Sequence, residues 1–255
     1  MTMKVTLLQR DIVWASPAVN VERADMAIDE QPGADLYVLP EMFSTGFATD
    51  PQGIAEGTES ETLQWMKRKA VQTSAALAGS LAVTDGTHYY NRFYFVEPNG
   101  RVTTADKHHL FTYGGEDKRF TSGAQRTVVQ FRGVRILLLV CYDLRFPVWS
   151  RNRGDYDMII YVASWPTSRV DAWNMLLHAR AIENQCYVAA VNRVGSDPSC
   201  DYCGGTFLID PYGKDVALAS RGVEEAISGE VDMQLLRDFR MKFPALNDAD
   251  EFDLK

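Results

Sequence analysis

The stretch Val134-Arg-Ile-Leu-Leu-Leu-Val140 followed by Cys141-Tyr-Asp-Leu-Arg-Phe-Pro147 decides how this chain is read. An almost unbroken run of branched apolar residues reads as a strand buried on both faces. It stops at a thiol, and Pro147 then opens a helix, where its missing N–H is no loss. A cysteine at such a strand-to-helix junction meets a free backbone N–H and the positive end of the next helix. That environment favours thiolate and can hold an oxyanion. Cys141 therefore reads either as a nucleophile on a sharp turn or as one more small core hydrophobe, as most buried cysteines are.

Outward from this junction, strand-like and helix-like stretches alternate. Residues 5–9 form a strand; residues 20–30 carry Val21, Ala24, Ala27 and Ile28 on one helical face; residues 36–39 form a short buried strand ending at Pro40-Glu41. Ser60 is placed to cap a helix over residues 60–73. Ala76–Thr84 and Tyr89–Val96 flank an Asp85-Gly86 turn, and Pro98-Asn-Gly100 turns the chain into Val102–Asp106. Downstream come a buried strand (157–163), a helix (170–185), a strand over Tyr187–Asn192, and a hairpin pairing 207–210 with Asp215–Leu218 around Pro211-Tyr-Gly213. Interleaved strands, helices and hairpins predict an α/β sandwich with mixed sheets. No Pro/Gly/Ser-rich linker or repeat divides the chain. One domain is expected over residues 4–231, with an acidic C-terminal extension, 232–255, placed to contact a partner subunit.

The 255 residues are enough for a full core, and 46% apolar with 24% charged residues are ordinary globular values. A net charge of −8 argues against nucleic acid as a partner, since such surfaces are basic. No apolar run approaches the roughly 18 residues needed to cross a bilayer. The chain enters a strand at Lys4-Val-Thr-Leu-Leu8 without the hydrophobic region of a signal peptide, and four cysteines in a chain this long need no disulfide framework. The reducing cytoplasm is the expected setting.

Two other strands end as the Cys141 strand does. Glu41 follows Leu36-Tyr-Val-Leu-Pro40, and Lys107 follows Val102-Thr-Thr-Ala-Asp106. Each alone reads as a polar residue marking an exit into solvent. Together they are complementary. A carboxylate in a closed site moves protons near neutral pH, an ammonium stabilises charge growing on a carbonyl oxygen, and a thiol forms a covalent intermediate. Amide hydrolysis through a thioester needs these parts.

Leu39-Pro-Glu41-Met, Lys107-His-His-Leu-Phe111 and Cys141-Tyr-Asp-Leu-Arg-Phe-Pro147 resemble, in order, the signature segments of the nitrilase superfamily of carbon–nitrogen hydrolases. The similarity continues through Ala163-Ser-Trp-Pro166, Ala179-Arg-Ala-Ile-Glu-Asn-Gln185 and Asn192-Arg-Val-Gly195. It implies a four-layer α-β-β-α sandwich with two mixed β-sheets, pairing as a homodimer. It also implies a triad of Glu41 as base and acid, Lys107 as oxyanion stabiliser and Cys141 as nucleophile, with the N–H of Tyr142 as second oxyanion donor. Glu116, in Tyr113-Gly-Gly-Glu116, matches a further glutamate that positions substrate or lysine. No metal and no organic cofactor are implied.

Cys141-Tyr-Asp-Leu-Arg-Phe-Pro, Ala-Ser-Trp165-Pro166 and Ala181-Ile-Glu-Asn-Gln-Cys-Tyr-Val-Ala together resemble the bacterial ω-amidases. These hydrolyse 2-oxoglutaramate and 2-oxosuccinamate to the oxo-acid and ammonia. Deaminated glutathione and N-carbamoyl compounds are alternative substrates for the same triad, and a scaffold of the same fold would have no need to retain all three residues. An oxo-acid carries a carboxylate away from its amide, so the pocket should hold a cation. Arg145 is the candidate, and an ion pair with Asp143 is its competing role. Phe43, Tyr113 and Trp165 flank motif residues and are expected to line the pocket or to pack. Cys200-Asp-Tyr-Cys203 has the spacing of half a zinc site but no second pair. His109 reads as a structural hydrogen-bonder or as the partner of a Cys–His dyad. Arg180 and Glu183, three apart on a helix, are expected to pair.

Overall fold

The computed structural model describes residues 2–253. Side-chain alternation along its strands sets two sheets face to face. The first is built from β1 (Thr2–Gln9), β2 (Leu36–Val38), β3 (Glu56–Gly57), β4 (Ala76–Thr84), β5 (Tyr89–Val96) and β6 (Val102–Asp106). The second holds β7 (Val128–Phe131), β8 (Val134–Val140), β9 (Met158–Ala163) and β10 (Tyr187–Asn192). A two-stranded ribbon of β11 (Val194–Ser196) and β12 (Asp201–Cys203) precedes β13 (Phe207–Ile209) and β14 (Asp215–Leu218), which complete the second sheet. The chain then returns to the first sheet as β15 (Glu225–Asp232), antiparallel to β1. The orders are β15-β1-β2-β4-β5-β6, with β3 beside β4, and β14-β13-β10-β9-β8-β7. Both sheets are mixed: β1, β2, β4 and the short β3 run parallel, as do β8, β9 and β10, while the other strands are antiparallel to their neighbours.

The period of two along each strand divides the core. Leu36 and Val38 of β2, Ala76 and Ala78 of β4, and Phe93 and Phe95 of β5 join the apolar layer shared with the second sheet. There Phe95 meets Phe131 edge-on at 5.6 Å. Tyr37, Leu77, Tyr94 and Val96 point the other way, into a layer roofed by α1 (Pro17–Asp29) and α2 (Glu61–Thr73). Ser60 caps α2 as expected, its hydroxyl accepting from the Leu63 N–H at 3.2 Å. On the far side α3 (Pro147–Ser150) is a single turn, and α4 (Val170–Asn184) buries Trp173, Leu177 and Ala181 against the second sheet. The result is the expected α-β-β-α order. The final helix, α5 (Met233–Lys242), is tied back by Arg240, which donates to the Gln185 and Tyr156 carbonyls and to Asp157.

Some strands carry too little apolar signal to be read in advance. Glu225-Ala-Ile-Ser-Gly-Glu-Val-Asp232 forms an edge strand that buries only Ile227 and Val231. Gly229 shares their inward face, where a Cβ would stand 2.6 Å from Leu208, while Ser228 and Glu230 are exposed. The architecture has one consequence for chemistry: the C-terminal ends of β2 and β6 from one sheet and of β8 and β9 from the other open toward the same place.

Candidate active site

Glu41, Lys107 and Cys141 each leave a strand at that place. Beyond β2, the Leu39 N–H still bonds the Ala78 carbonyl, and the Met42 N–H donates to Ser80 Oγ at 2.9 Å. Glu41 is thereby held between two fixed backbone points. Lys107 is fixed by its N–H on the Asn91 carbonyl at 2.9 Å. Cys141 takes a φ of +45°, in the left-handed region that costs a non-glycine residue about 1–2 kcal/mol. The turn is braced by Asp143, whose carboxylate accepts from the Val140 N–H (3.1 Å), the His109 N–H (2.9 Å) and His109 Nδ1 (2.9 Å).

The three side chains converge with a fourth. Lys107 Nζ donates to Glu41 Oε1 (3.0 Å) and to both oxygens of Glu116 (3.2 and 2.9 Å), with all three side chains at 0% exposure. Glu41 Oε1 also accepts from Asn91 Nδ2 at 2.7 Å, and Oε2 from the Ser164 N–H at 2.8 Å. Glu116 Oε2 accepts from the Phe111 N–H at 2.6 Å, which folds the loop back onto the lysine. The Cys141 thiol sits against the Glu41 carboxylate.

Burial works against the Lys107 ammonium, yet Glu116 and Glu41 outweigh it and hold its pKa above the ordinary lysine value. Burial also lifts Glu116 above the usual carboxylate range, and Lys107 offsets only part of that. The Cys141 thiol is pushed well up by burial and then by the Glu41 charge, with Lys107 pulling the other way. The sequence suggested a thiolate supported by a helix dipole. Instead a 3-10 turn over Cys141–Arg145 follows the cysteine and α3 has only four residues, so the dipole is weak and burial dominates. The resting group is a thiol beside a carboxylate.

The thiol opens into a small cavity of about 50 Å³ that is largely apolar. Tyr142, Arg145 and Trp165 line it, as expected. Arg145 does not pair with Asp143, which is engaged by His109; its guanidinium lies over the Trp165 ring at 4.8 Å. Two of the aromatic expectations are corrected. Phe43 does not line the cavity: Met42 adopts a φ of +44°, and the turn throws Phe43 back under the helices, against Trp65 at 6.0 Å. Gly79 makes room for it, since a Cβ there would stand 2.9 Å from the Phe43 ring. Tyr113 sits on a short 3-10 turn facing solvent, 86% exposed, and leans on Phe111.

The corresponding places are taken by Phe47 and Phe111, which the sequence reading missed along with Ser164, Tyr202 and Arg169. Arg169, at the mouth of α4, lies over the Phe111 ring at 5.3 Å. Its nearest sequence signal is its place just after Trp165-Pro166, whose indole N–H donates to the Arg169 carbonyl. His109 stacks on Phe146 and binds Asp143, the structural role of the two considered. Arg180 pairs with Glu183 at 2.9 Å. Cys200 and Cys203 are free thiols, and Cys200 lines the cavity. Among the described residues no cluster of three or more His, Cys, Asp or Glu is gathered to hold a metal ion.

This chain belongs to the carbon–nitrogen hydrolase family, whose profile matches residues 4–241, and it is an amide-hydrolysing enzyme. It is 47% identical over 253 residues to the ω-amidase YafV of Escherichia coli K12, covering 99% of this chain and 98% of that one. It is 34% identical over 255 residues to the 2-oxoglutaramate amidase of Bacillus subtilis 168, covering 97% and 98%. Among solved structures, XC1258 from Xanthomonas campestris, a CN-hydrolase superfamily protein with an arsenic adduct in its active site, matches with a TM-score of 0.97 at 37% identity over 100% of both chains.

Proposed function

We propose that this enzyme hydrolyses the terminal amide of small ω-amido 2-oxo acids, 2-oxoglutaramate and 2-oxosuccinamate, to the oxo-acid and ammonia through a thioester on Cys141. The observation that carries the reading is the pair of guanidiniums in the cavity. Arg145 and Arg169 lie on aromatic faces with no carboxylate partner among the described residues, beside the thiol and the Glu41–Lys107–Glu116 cluster. A cation left unpaired in a mostly apolar pocket is suited to an anionic substrate end. Relatives named for ω-amidase and 2-oxoglutaramate amidase activity support the same substrate class.

Glu41 takes the thiol proton as sulfur attacks the amide carbon. The Lys107 ammonium and the Tyr142 N–H face the oxyanion. Glu41 returns the proton to departing ammonia, then takes one from the water that cleaves the thioester and gives it to the departing sulfur, restoring the thiol. Glu116 keeps Lys107 charged and aimed. In this reading the enzyme works in the reducing cytoplasm, where the thiol stays reduced, as a homodimer. Exposed Val148, Met175, Ile182 and Tyr212 give the α3–α4 side apolar surface for a second copy, with the extension from residue 232 contacting it through its described residues, 232–253. No described helix is long and apolar enough to cross a membrane.

Ammonia release from 2-oxoglutaramate, measured against deaminated glutathione and N-carbamoyl compounds, tests the substrate. Preference for either rival by kcat/KM rejects the assignment. A Cys141→Ala variant that still turned over would reject the chemistry.

A further inference from the structure

Asn91 is an uncharged side chain in the middle of this charged cluster. It lies on β5 opposite Ala82, is fully buried, and spends its amide nitrogen on two carboxylates. Nδ2 donates to Glu41 Oε1 at 2.7 Å and to Glu116 Oε1 at 3.2 Å. Oδ1 has no hydrogen-bond partner. The backbone carbonyl of the same residue accepts from the Lys107 N–H at 2.9 Å. An asparagine retained to close a ladder or fill a core uses both ends of its amide, because a buried unmet carbonyl costs stability. Here the oxygen goes unmet while both amide hydrogens are committed to anions. Charge fixes this orientation, since a flipped amide would set Oδ1 against two carboxylates.

We propose that Asn91 is a positioning residue that holds Glu41 and Glu116 at a set separation around Lys107 and keeps Glu41 aimed at Cys141. The inference rests on Glu41 serving as base toward Cys141, as proposed above. The charged and titratable groups that face the amide are Glu41 from the turn after β2, Glu116 from the loop after β6 and Lys107 from the end of β6, with Cys141 beyond Glu41. A second cation in this place would pair with the base and quench it. A carboxylate would repel both anions. An amide supplies two donors and no charge, so it stabilises the proton-accepting form without competing for the proton.

The test compares Asn91→Leu, which removes the donors, with Asn91→Asp, which also adds an anion, and with Asn91→Ser, which is small and keeps one donor. Each is followed by thermal melting, by the pH profile of kcat/KM for ammonia release from 2-oxoglutaramate, and by the pH profile of Cys141 alkylation with iodoacetamide. In folded variants the acidic limb of kcat/KM moves up by about one pH unit, kcat falls roughly ten- to a hundredfold at neutral pH, and KM stays near the wild-type value. Asn91→Asp is hit hardest and also moves alkylation to higher pH; Asn91→Ser is hit least. Any folded variant with a wild-type acidic limb and kcat overturns the proposal, as does a loss confined to KM. Glu41→Gln separates the role of the base from the role of the amide. If it still turns over, the base assignment fails and Asn91 with it. If it is dead while the Asn91 variants behave as wild type, only the role of Asn91 falls. Alkylation needs no amide substrate, so a wrong substrate leaves that readout intact.

Discussion

Replacing Lys107 with methionine removes the buried ammonium while keeping the length and apolar stem of the side chain. The ammonium's three hydrogen bonds, to Glu41 Oε1 and to the two oxygens of Glu116 at 3.0, 3.2 and 2.9 Å, go with it. At about 1.5–3 kcal/mol for each hydrogen bond to a charged group, their sum is roughly 4.5–9 kcal/mol. That is an upper bound, because bonds sharing one donor do not add. Removing one partner of a buried ion pair costs about 3–5 kcal/mol, and this range is expected because Asn91 and the backbone donors of Ser164 and Phe111 remain. In a chain of this size that lowers the melting temperature by about 6–20 °C at neutral pH. The gap depends on pH. Burial already lifts Glu116 in the native site, and without the ammonium, which pulls it the other way, it rises further. A carboxyl raised in the folded state contributes its stability below the unfolded pKa and loses it as pH rises through the folded one. The deficit is therefore small near about pH 5 and widens toward about pH 8, where Glu116 is forced to ionise without its cation. Thermal and denaturant melts of the two proteins across that range read it directly. A gap under about 1 kcal/mol at neutral pH, or one that does not vary with pH, refutes the charge arrangement on which the mechanism stands.

Arg145→Ala is expected to raise KM for 2-oxoglutaramate by about tenfold or more and leave a neutral aliphatic amide nearly unaffected; equal effects on both would remove Arg145 from carboxylate recognition. Because burial and Glu41 raise the Cys141 thiol, its alkylation by iodoacetamide should lag that of an ordinary thiol at about pH 8 and climb with further base. Glu41→Gln should shift that climb to lower pH while abolishing hydrolysis, and a wild-type plateau already reached by about pH 8 would contradict the raised pKa. Ser60→Ala removes the cap of α2 and is expected to cost about 1 kcal/mol, a fall of roughly 2–4 °C in melting temperature with kcat unchanged.

Glu41, Lys107 and Cys141 were legible in the sequence as a set: each alone reads as an ordinary strand exit or core residue, and together they are complementary and fall in three ordered motifs. Each of the three stands where a strand read from the sequence ends, whereas the division of the strand residues between the two core layers became visible only in the fold. What resisted reading depends on direction rather than position. Phe43 and Phe47 are both aromatic and both close to Glu41, and only the positive φ of Met42 decides that the first turns under the helices. Tyr113 and Phe111 differ likewise by which side of a 3-10 turn they occupy. Asn91 carries no local signal at all, since its partners lie 50 and 25 residues away in sequence. The thiolate expectation failed for a related reason: the length of α3 and the burial of Cys141 are tertiary facts.

Glu41 and Lys107 are carried by one sheet, Cys141 and Ser164 by the other. Turnover is thus a gauge of how the two halves of the sandwich are seated. A slip of about an ångström along the seam would part base from sulfur while every strand stayed intact, at a cost of about a hundredfold in rate. Trimming the inter-sheet aromatic contact of Phe95 with Phe131 should for that reason be felt in kcat before it is felt in circular dichroism.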